Sequence, residues 1–552
     1  MRMQGKNSLF SFPVSLHTKI DKIPEKEIVM KELKFEELSL EQKLGMVHAA
    51  MINGKCSDEA LEFVRERIKN HALGAVWIQF SHTDADKMMK MVHETADYPI
   101  LIITDAESGL GEFTVGRHNP ISCTGDEKYA YAFGKAIGYT AKSMGYNVVC
   151  NPILDVNFHG NPRSFGSDKY VIAKMAAAEA RGLHDGGVLT VGKHYPSGVN
   201  PIDIDSHMAE GYSEQTEEEL VEQSLYPYLE LSRQGLLDGI MTGHHRFVNI
   251  DPEAPASLSK TMINVIRKRG FDGFCITDAL GMMGIRAKYG NRESKGLAIE
   301  AGNDLALPFT STSIENQQDI DECYRRGIIS DEQLDAAVKR VLAAQHKVML
   351  LEESRSRVLT DEEANLCRNI NRDSIYAEAD EGLTPSVSRD GKHLFALMVR
   401  NEERIQGGEV MVDTFTNGWL YPAKVVERLK KLFPNSKVEV FHQFPTQGQN
   451  WRIFHSIDEC EDIVFLTFSE PMAYVGREHL TQRVRTVIEA LQYTNRISAL
   501  VHFGNPMVLE GLPHIPRYIL GGISEQSVDT CLDVLAGEYE AKGVKTYDFK
   551  LS

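Results

Sequence analysis

Three stretches of this chain carry residue types at spacings that could do chemistry. The first is FDGFCITDALGMMGI, residues 271 to 285, a short apolar run that ends in Asp278 and then breaks into a Gly/Met stretch. Gly273 to Thr277 reads as a buried parallel strand, so Asp278 falls where strand gives way to loop. A (β/α) barrel keeps its catalytic groups at that end of its strands. Taken alone, Asp278 is better read as the cap of the following helix, a position that Asp favours. The second stretch is GKHYPSGVNPIDIDSH, residues 192 to 207, in which Lys193 stands beside His194. A Lys next to a His in a buried strand is costly unless each finds a partner, and both can donate hydrogen bonds. The third is the end of that run, Asp205-Ser206-His207. An imidazole titrates near neutrality and a neighbouring carboxylate can orient it, so Asp205 and His207 make an acid/base unit. By itself such a tripeptide is more often a surface turn.

The elements that must position these groups follow from the apolar pattern. ALGAVWIQF, YPILIITDAESG, YNVVCNP, GVLTVGKHY, DGIMTGHH, GFCITDA and NDLALPF read as strands, alternating with amphipathic segments such as those near 83 to 96 and 127 to 144. Such alternation predicts a parallel sheet with helices outside it. Each strand is read as delivering polar residues at its carboxyl end: Asp105/Glu107, Asn151/Asp155, Lys193/His194, His244/His245, Asp278 and Asp304. That repetition is what a barrel active site requires, and it reverses the reading of Asp278 as a simple cap. Ahead of the strands, LSLEQKLGMVHAAMI reads as helix, with Leu40, Leu44 and Met46/Val47 on one face. TEEELVEQSLYPYLELSRQG reads as one helix, opened by a Thr216/Glu219 capping box and stopped by Gly235. SLSKTMINVIRKRG starts on a Ser cap and stops at Gly270.

The expected fold class is therefore α/β. Residues 1–350 read as a (β/α)8 TIM-type barrel with a helical lead-in, 351–390 as a helical linker, and 391–552 as a smaller three-layer α/β sandwich. The sandwich strands are KHLFALMV, KVEVFHQF, DIVFLTF, RISALVHFG and RYILGG, with helices near 421–433, 479–495 and 524–537.

Composition bounds the partners. With 60 basic against 78 acidic side chains the formal charge is −18, which on average repels nucleic acid and favours a neutral or cationic small substrate. The eight cysteines (56, 123, 150, 275, 323, 367, 460, 531) form no CxxC pair, so reduced thiols are expected and no metal cluster. The opening MRMQGKNSLFSFPVSLHTKIDK has no sustained apolar core, and no run approaches a membrane span, so a cytoplasmic protein without membrane partners is expected. A monomer or homodimer is the expected assembly.

The order of MTGHH, DPEAPASLSKTMINVIRKRGFDG, the Asp278 segment and AGNDLALP resembles glycoside hydrolase family 3, and the DALGMMGI tail resembles its β-N-acetylglucosaminidase branch. HFGNPMVLEGLP followed by DVLAGE resembles the second domain of many members, so the likeness covers nearly the whole chain. The resemblance implies Asp278 as nucleophile and His207, with Asp205, as acid/base. It implies a sugar held by Asp105 in ITDAESG, Arg163 in NPRSFGSD, Lys193, His194 and His244, with no metal and no organic cofactor. Two departures stand out. The family's PGHG is PSGV here, with a longer loop and a proline at 201, and Phe113 stands where an arginine is usual, leaving Arg117 as its substitute.

What the resemblance implies is a retaining exo-β-N-acetylglucosaminidase working on terminal β-linked GlcNAc of small saccharides, cell-wall or chitin fragments, through a glycosyl-aspartate intermediate. The alternatives are a family 3 β-glucosidase or β-xylosidase, a phosphorylase that uses phosphate in place of water, and a non-catalytic sugar-binding protein. The DSH motif and the lack of a Trp after Asp278 speak against the glucosidase. A sugar binder has no need of a nucleophile.

Overall fold

The structure is a computed structural model that describes residues 30–81, 84–156, 163–197, 207–309, 312–353, 358–406, 409–415, 422–469 and 480–551. Seven short parallel strands form the first sheet in sequence order: β1 (Ala49–Met51), β2 (Ala75–Trp77), β3 (Leu101–Thr104), β4 (Val148–Val149), β5 (Leu189–Tyr195), β6 (Gly239–Thr242) and β7 (Phe274–Thr277). Residues 305 and 306 supply the eighth stave. Leu305 bridges Ile276 of β7 and Ala306 bridges His48 just before β1, both in parallel, so the sheet closes on itself. Every residue of β3, β6 and β7 is buried, as expected of barrel strands with side chains inside and helices outside.

The helical jacket is set by local signals. Capping boxes open helices at Ser39/Gln42, Thr216/Glu219, Thr312/Glu315 and Thr360/Glu363, and the Asp168 carboxylate caps Lys169–Gly186. The helices Glu127–Ser143 and Lys169–Gly186 cross closely because glycines line the contact. A Cβ on Gly134 would sit 2.0 Å from the Glu179 carbonyl oxygen, and one on Gly182 would sit 2.2 Å from that of Tyr131.

Three expectations change. The run 38–52 is not one helix: Leu40–Met46 is helical, but Ala49–Met51 turns into the first barrel strand. Alanines favour helix by propensity, and only pairing with β2 and the eighth stave holds this segment extended. The segment 216–235 is two helices, Glu217–Glu222 and Tyr226–Arg233, because Pro227 cannot donate back into the first and instead starts the second. Residues 351–390 do more than link. The helix Asp361–Asp373 buries Ala364, Cys367 and Ile370 in the barrel-side core, and β8 (Tyr376–Ala379) already belongs to the second sheet.

That second sheet also contains β9 (His393–Gln406), β10 (Glu409–Phe415), β11 (Lys437–His442), β12 (Asp462–Ser469), β13 (Ile497–Gly504) and β14 (Arg517–Gly521). Its order is β8-β14-β13-β12-β9-β10, with β11 also paired to β9. The central pairs are parallel, and only β8 with β14 and β9 with β10 run antiparallel. Helices Pro422–Leu432, Gln447–Ser456, Gln482–Gln492 and Glu525–Leu535 bury apolar faces in its separate core. The two cores are pinned together by polar contacts: Asp373 accepts from Tyr129 at 2.8 Å and from Tyr539 at 2.9 Å, and Val544 N–H donates to the Cys123 carbonyl at 2.7 Å. Among the described residues no helix is long and apolar enough to cross a membrane.

Candidate active site

The carboxyl ends of β3 to β7 bring one set of charged side chains to one mouth of the barrel. Asp105 follows β3, Lys193 and His194 lie at the end of β5, His244 follows β6 and Asp278 follows β7. Arg163 reaches in from the segment after β4. The peptide bonds Asn151–Pro152, Lys193–His194 and Tyr195–Pro196 at this mouth are cis.

The set is knitted by charge. The buried Lys193 ammonium donates to Asp105 and lies 3.8 Å from Glu107. Arg163 grips Glu107 with two prongs, Nε to Oε2 at 2.7 Å and Nη2 to Oε1 at 3.0 Å. Burial presses the Glu107 carboxyl upward, but Arg163, Lys193 and Arg117 together hold it well below its ordinary value. Burial works against the Lys193 cation too; Asp105 and Glu107 outweigh it and raise its pKa. Arg117, whose Nη1 donates to Ser108 at 3.3 Å, adds its charge toward Glu107, while Phe113 is buried beneath the Arg368 guanidinium.

His194 and His244 are each held by protein partners on both ring nitrogens. His194 Nδ1 donates to Asp155 at 2.9 Å, its backbone N–H donates to the same carboxylate at 2.8 Å, and its Nε2 accepts from Arg163 at 3.2 Å. That pattern puts the ring proton on Nδ1. His244 is buried, with Nδ1 on Ser257 Oγ at 2.8 Å and Nε2 donating to the Ala279 carbonyl at 3.1 Å. One ring nitrogen of His244 thus meets the Ser257 hydroxyl and the other the backbone beside Asp278. Burial pulls its pKa down and favours this neutral, bridging form.

Asp278 is half-buried, and its backbone N–H donates to the Thr242 carbonyl while its carboxylate accepts from the Ala279 N–H at 2.7 Å. Burial pushes its carboxyl up; His194, His244, the Ala279 N–H and His207 more than offset that, and the carboxyl lies below its ordinary value. An ionised, short-tethered carboxylate at a barrel mouth is a competent nucleophile. His207 lies on the same side, its carbonyl accepting from Met283 N–H at 3.0 Å, five residues beyond Asp278. Asp205 falls outside the described residues. Asp304 does not belong to this mouth. It precedes the eighth stave at the opposite end, where its buried carboxylate accepts from Arg267 at 3.1 Å, Arg340 at 2.8 Å and Cys275 N–H at 2.7 Å. Its acid is structural.

Of the positioning groups Glu107, Asp155 and Ser257, the two acids are among the strand-end polar residues read from the sequence, but with no partner or task attached to them. Ser257 carries no such signal. Among the described residues no group of three His, Cys, Asp or Glu side chains is arranged to hold a metal.

The family model for the glycosyl hydrolase family 3 N terminal domain matches residues 21–344. This chain belongs to glycosyl hydrolase family 3. Within the family it is 28% identical over 267 residues to a beta-hexosaminidase of Haemophilus influenzae, covering 45% of this chain and 76% of that protein. It is 33% identical over 217 residues to the beta-hexosaminidase LpqI of Mycobacterium tuberculosis, covering 37% of this chain and 55% of LpqI. The fold extends the likeness to both domains: a family 3 beta-N-acetylglucosaminidase from Paenibacillus sp. str. FPU-7 superposes with a TM-score of 0.73 at 25% identity, over 93% of this chain and 100% of that one. The architecture is thus that of family 3, barrel followed by α/β sandwich.

Proposed function

We propose that this chain is a retaining exo-β-N-acetylglucosaminidase acting on terminal β-linked GlcNAc of small saccharides. The observation that carries the reading is the placement of an ionised Asp278 at the barrel mouth with His207 tied by its carbonyl to the turn that follows. In the first step an Asp278 carboxylate oxygen bonds to the anomeric carbon as the bond to the leaving oxygen breaks. The His207 imidazolium passes its proton to that oxygen. In the second step His207 takes a proton from water, whose oxygen displaces Asp278 and restores the original anomeric configuration. Asp205 orients the imidazole. Asp105, with Lys193 and Arg163 behind it, presents the polar face that receives the sugar hydroxyls. The beta-hexosaminidase and beta-N-acetylglucosaminidase relatives support this substrate class.

A panel of aryl β-glycosides of GlcNAc, glucose and xylose, with and without phosphate, tests the reading. GlcNAc release as the free sugar is expected. Preference for glucose or xylose would point to the other branch of the family, GlcNAc 1-phosphate as main product to phosphorolysis, and no turnover of any glycoside to a binding protein. A cytoplasmic location belongs to the same proposal, and cell fractionation tests it.

A further inference from the structure

The loop that carries His207 is fastened by more than one contact, and the fastening comes from both neighbouring strand ends. From the β7 side, Met283 N–H donates to the His207 carbonyl at 3.0 Å, and Gly284 comes so close that a Cβ there would meet the Ala209 carbonyl oxygen at 2.8 Å. From the β6 side, Arg246 N–H donates to the Gly211 carbonyl at 2.9 Å, and Arg246–Phe247 pairs in parallel with Tyr212–Ser213. Between the two sides stands Glu210, three residues after His207. Its Oε2 lies 3.4 Å from Arg246 Nε and its Oε1 3.7 Å from Lys288 Nζ on the helix Met283–Tyr289. Oε1 is buried without a hydrogen-bond partner among the described residues, and so is Arg246 Nε. The two cations are themselves anchored: Arg246 Nη1 donates to the Pro252 carbonyl at 2.8 Å, and Lys288 Nζ and Tyr289 Oη donate to the Glu253 carbonyl at 3.3 Å and 2.9 Å.

A partly buried carboxylate with one oxygen out of reach of water, set between two anchored cations, has a preferred place, and the backbone it belongs to inherits that place. Catalysis at His207 demands such definition, because displacing a proton donor by about 1 Å can cost about a hundredfold in rate. We propose that Glu210 is a positioning residue for the acid/base step, clamped by Arg246 and Lys288 so that the His207 imidazole is held toward the substrate while Asp278 is left untouched. This rests on His207 being the acid/base. The second face of the clamp, the Gly284 approach to Ala209, acts on the same loop through backbone alone.

The test compares Glu210→Gln, which keeps the shape and removes the charge, with Gly284→Ala, which crowds the loop from the other side. Each is assayed in the full chain on aryl β-GlcNAc substrates of graded leaving-group pKa, with His207→Ala as reference and thermal midpoints recorded. Both variants should lose about tenfold or more in kcat/KM on poor leaving groups and about twofold or less on the most activated ones, a reduced copy of the His207→Ala pattern. The midpoints should stay close to that of the parent. A leaving-group dependence in His207→Ala with parental behaviour in Glu210→Gln overturns the clamp while leaving the acid/base reading intact. Equal losses on all substrates also overturn it, since they mark general damage. A His207→Ala variant without leaving-group dependence removes the acid/base reading first, and the clamp with it.

Discussion

Arg163 and Glu107 meet as a fork, Nε on Oε2 and Nη2 on Oε1, in the middle of the charged network that joins Lys193, Asp105 and His194. The fork fixes the plane of the guanidinium, and only a carboxylate can accept both prongs as an anion. Glu107→Gln should therefore lower kcat/KM by about tenfold or more, chiefly through a weaker hold on the sugar, as should Arg163→Ala and Lys193→Ala. Steady-state kinetics and inhibitor titration read this out; parental values in all three variants would remove the network from substrate binding.

The acid/base role proposed for His207 makes different demands in the two chemical steps. His207→Ala should lose most activity on poor leaving groups, which need a proton, and far less in the first step on activated aryl glycosides. Breakdown of the intermediate should slow as well, giving a burst of phenol that small anions such as azide relieve. Asp205→Ala should show the same pattern more weakly. Equal losses on good and poor leaving groups, with no burst and no relief, would show that His207 only shapes its loop.

Two buried histidines make the fold acid-sensitive. Burial pushes His48 and His502 down from 6.5 to about 4, and His502 is fixed neutral by Thr467 at 2.9 Å and the Asn505 carbonyl at 2.9 Å. Above pH 6.5 each is neutral folded or unfolded and contributes no pH dependence. As pH falls from 6.5 toward 4 the unfolded chain takes up protons that the native state refuses, so stability drops, and below about 4 the loss levels off. The full loss is roughly 3 kcal/mol per histidine. Urea unfolding between pH 7 and 4.5, followed by a second-domain probe, should show a shallower decline in His502→Gln than in the parent; an unchanged slope would refute the linkage.

Much of this site was legible because barrel strands are short and apolar and end where chemistry begins. Asp278, Lys193 and Asp105 each stand at such an end, and the charge sequence after each strand betrays the mouth. Asp304 shows the limit of that rule: an acid before a stave and one after it look alike in sequence, and only the closing bridges at 305 and 306 tell the ends apart. Ala49–Met51 was hidden because Ala-Ala-Met carries no β pattern, and its extended form comes from pairing on both sides. The protein partners of His244, Ser257 and the Ala279 carbonyl, come from distant or backbone positions that spacing does not reveal.

The central claim is a covalent bond from Asp278 to the sugar. A 2-deoxy-2-fluoro or 5-fluoro glycoside with an activated leaving group, incubated with the enzyme, digested and analysed by mass spectrometry, tests it directly, ideally in His207→Ala, where breakdown is slow. One glycosyl adduct on the peptide containing Asp278 is predicted, with none in Asp278→Asn, which should still fold and bind sugar but not turn over. An adduct on another residue, or near-parental turnover in Asp278→Asn, would contradict the account.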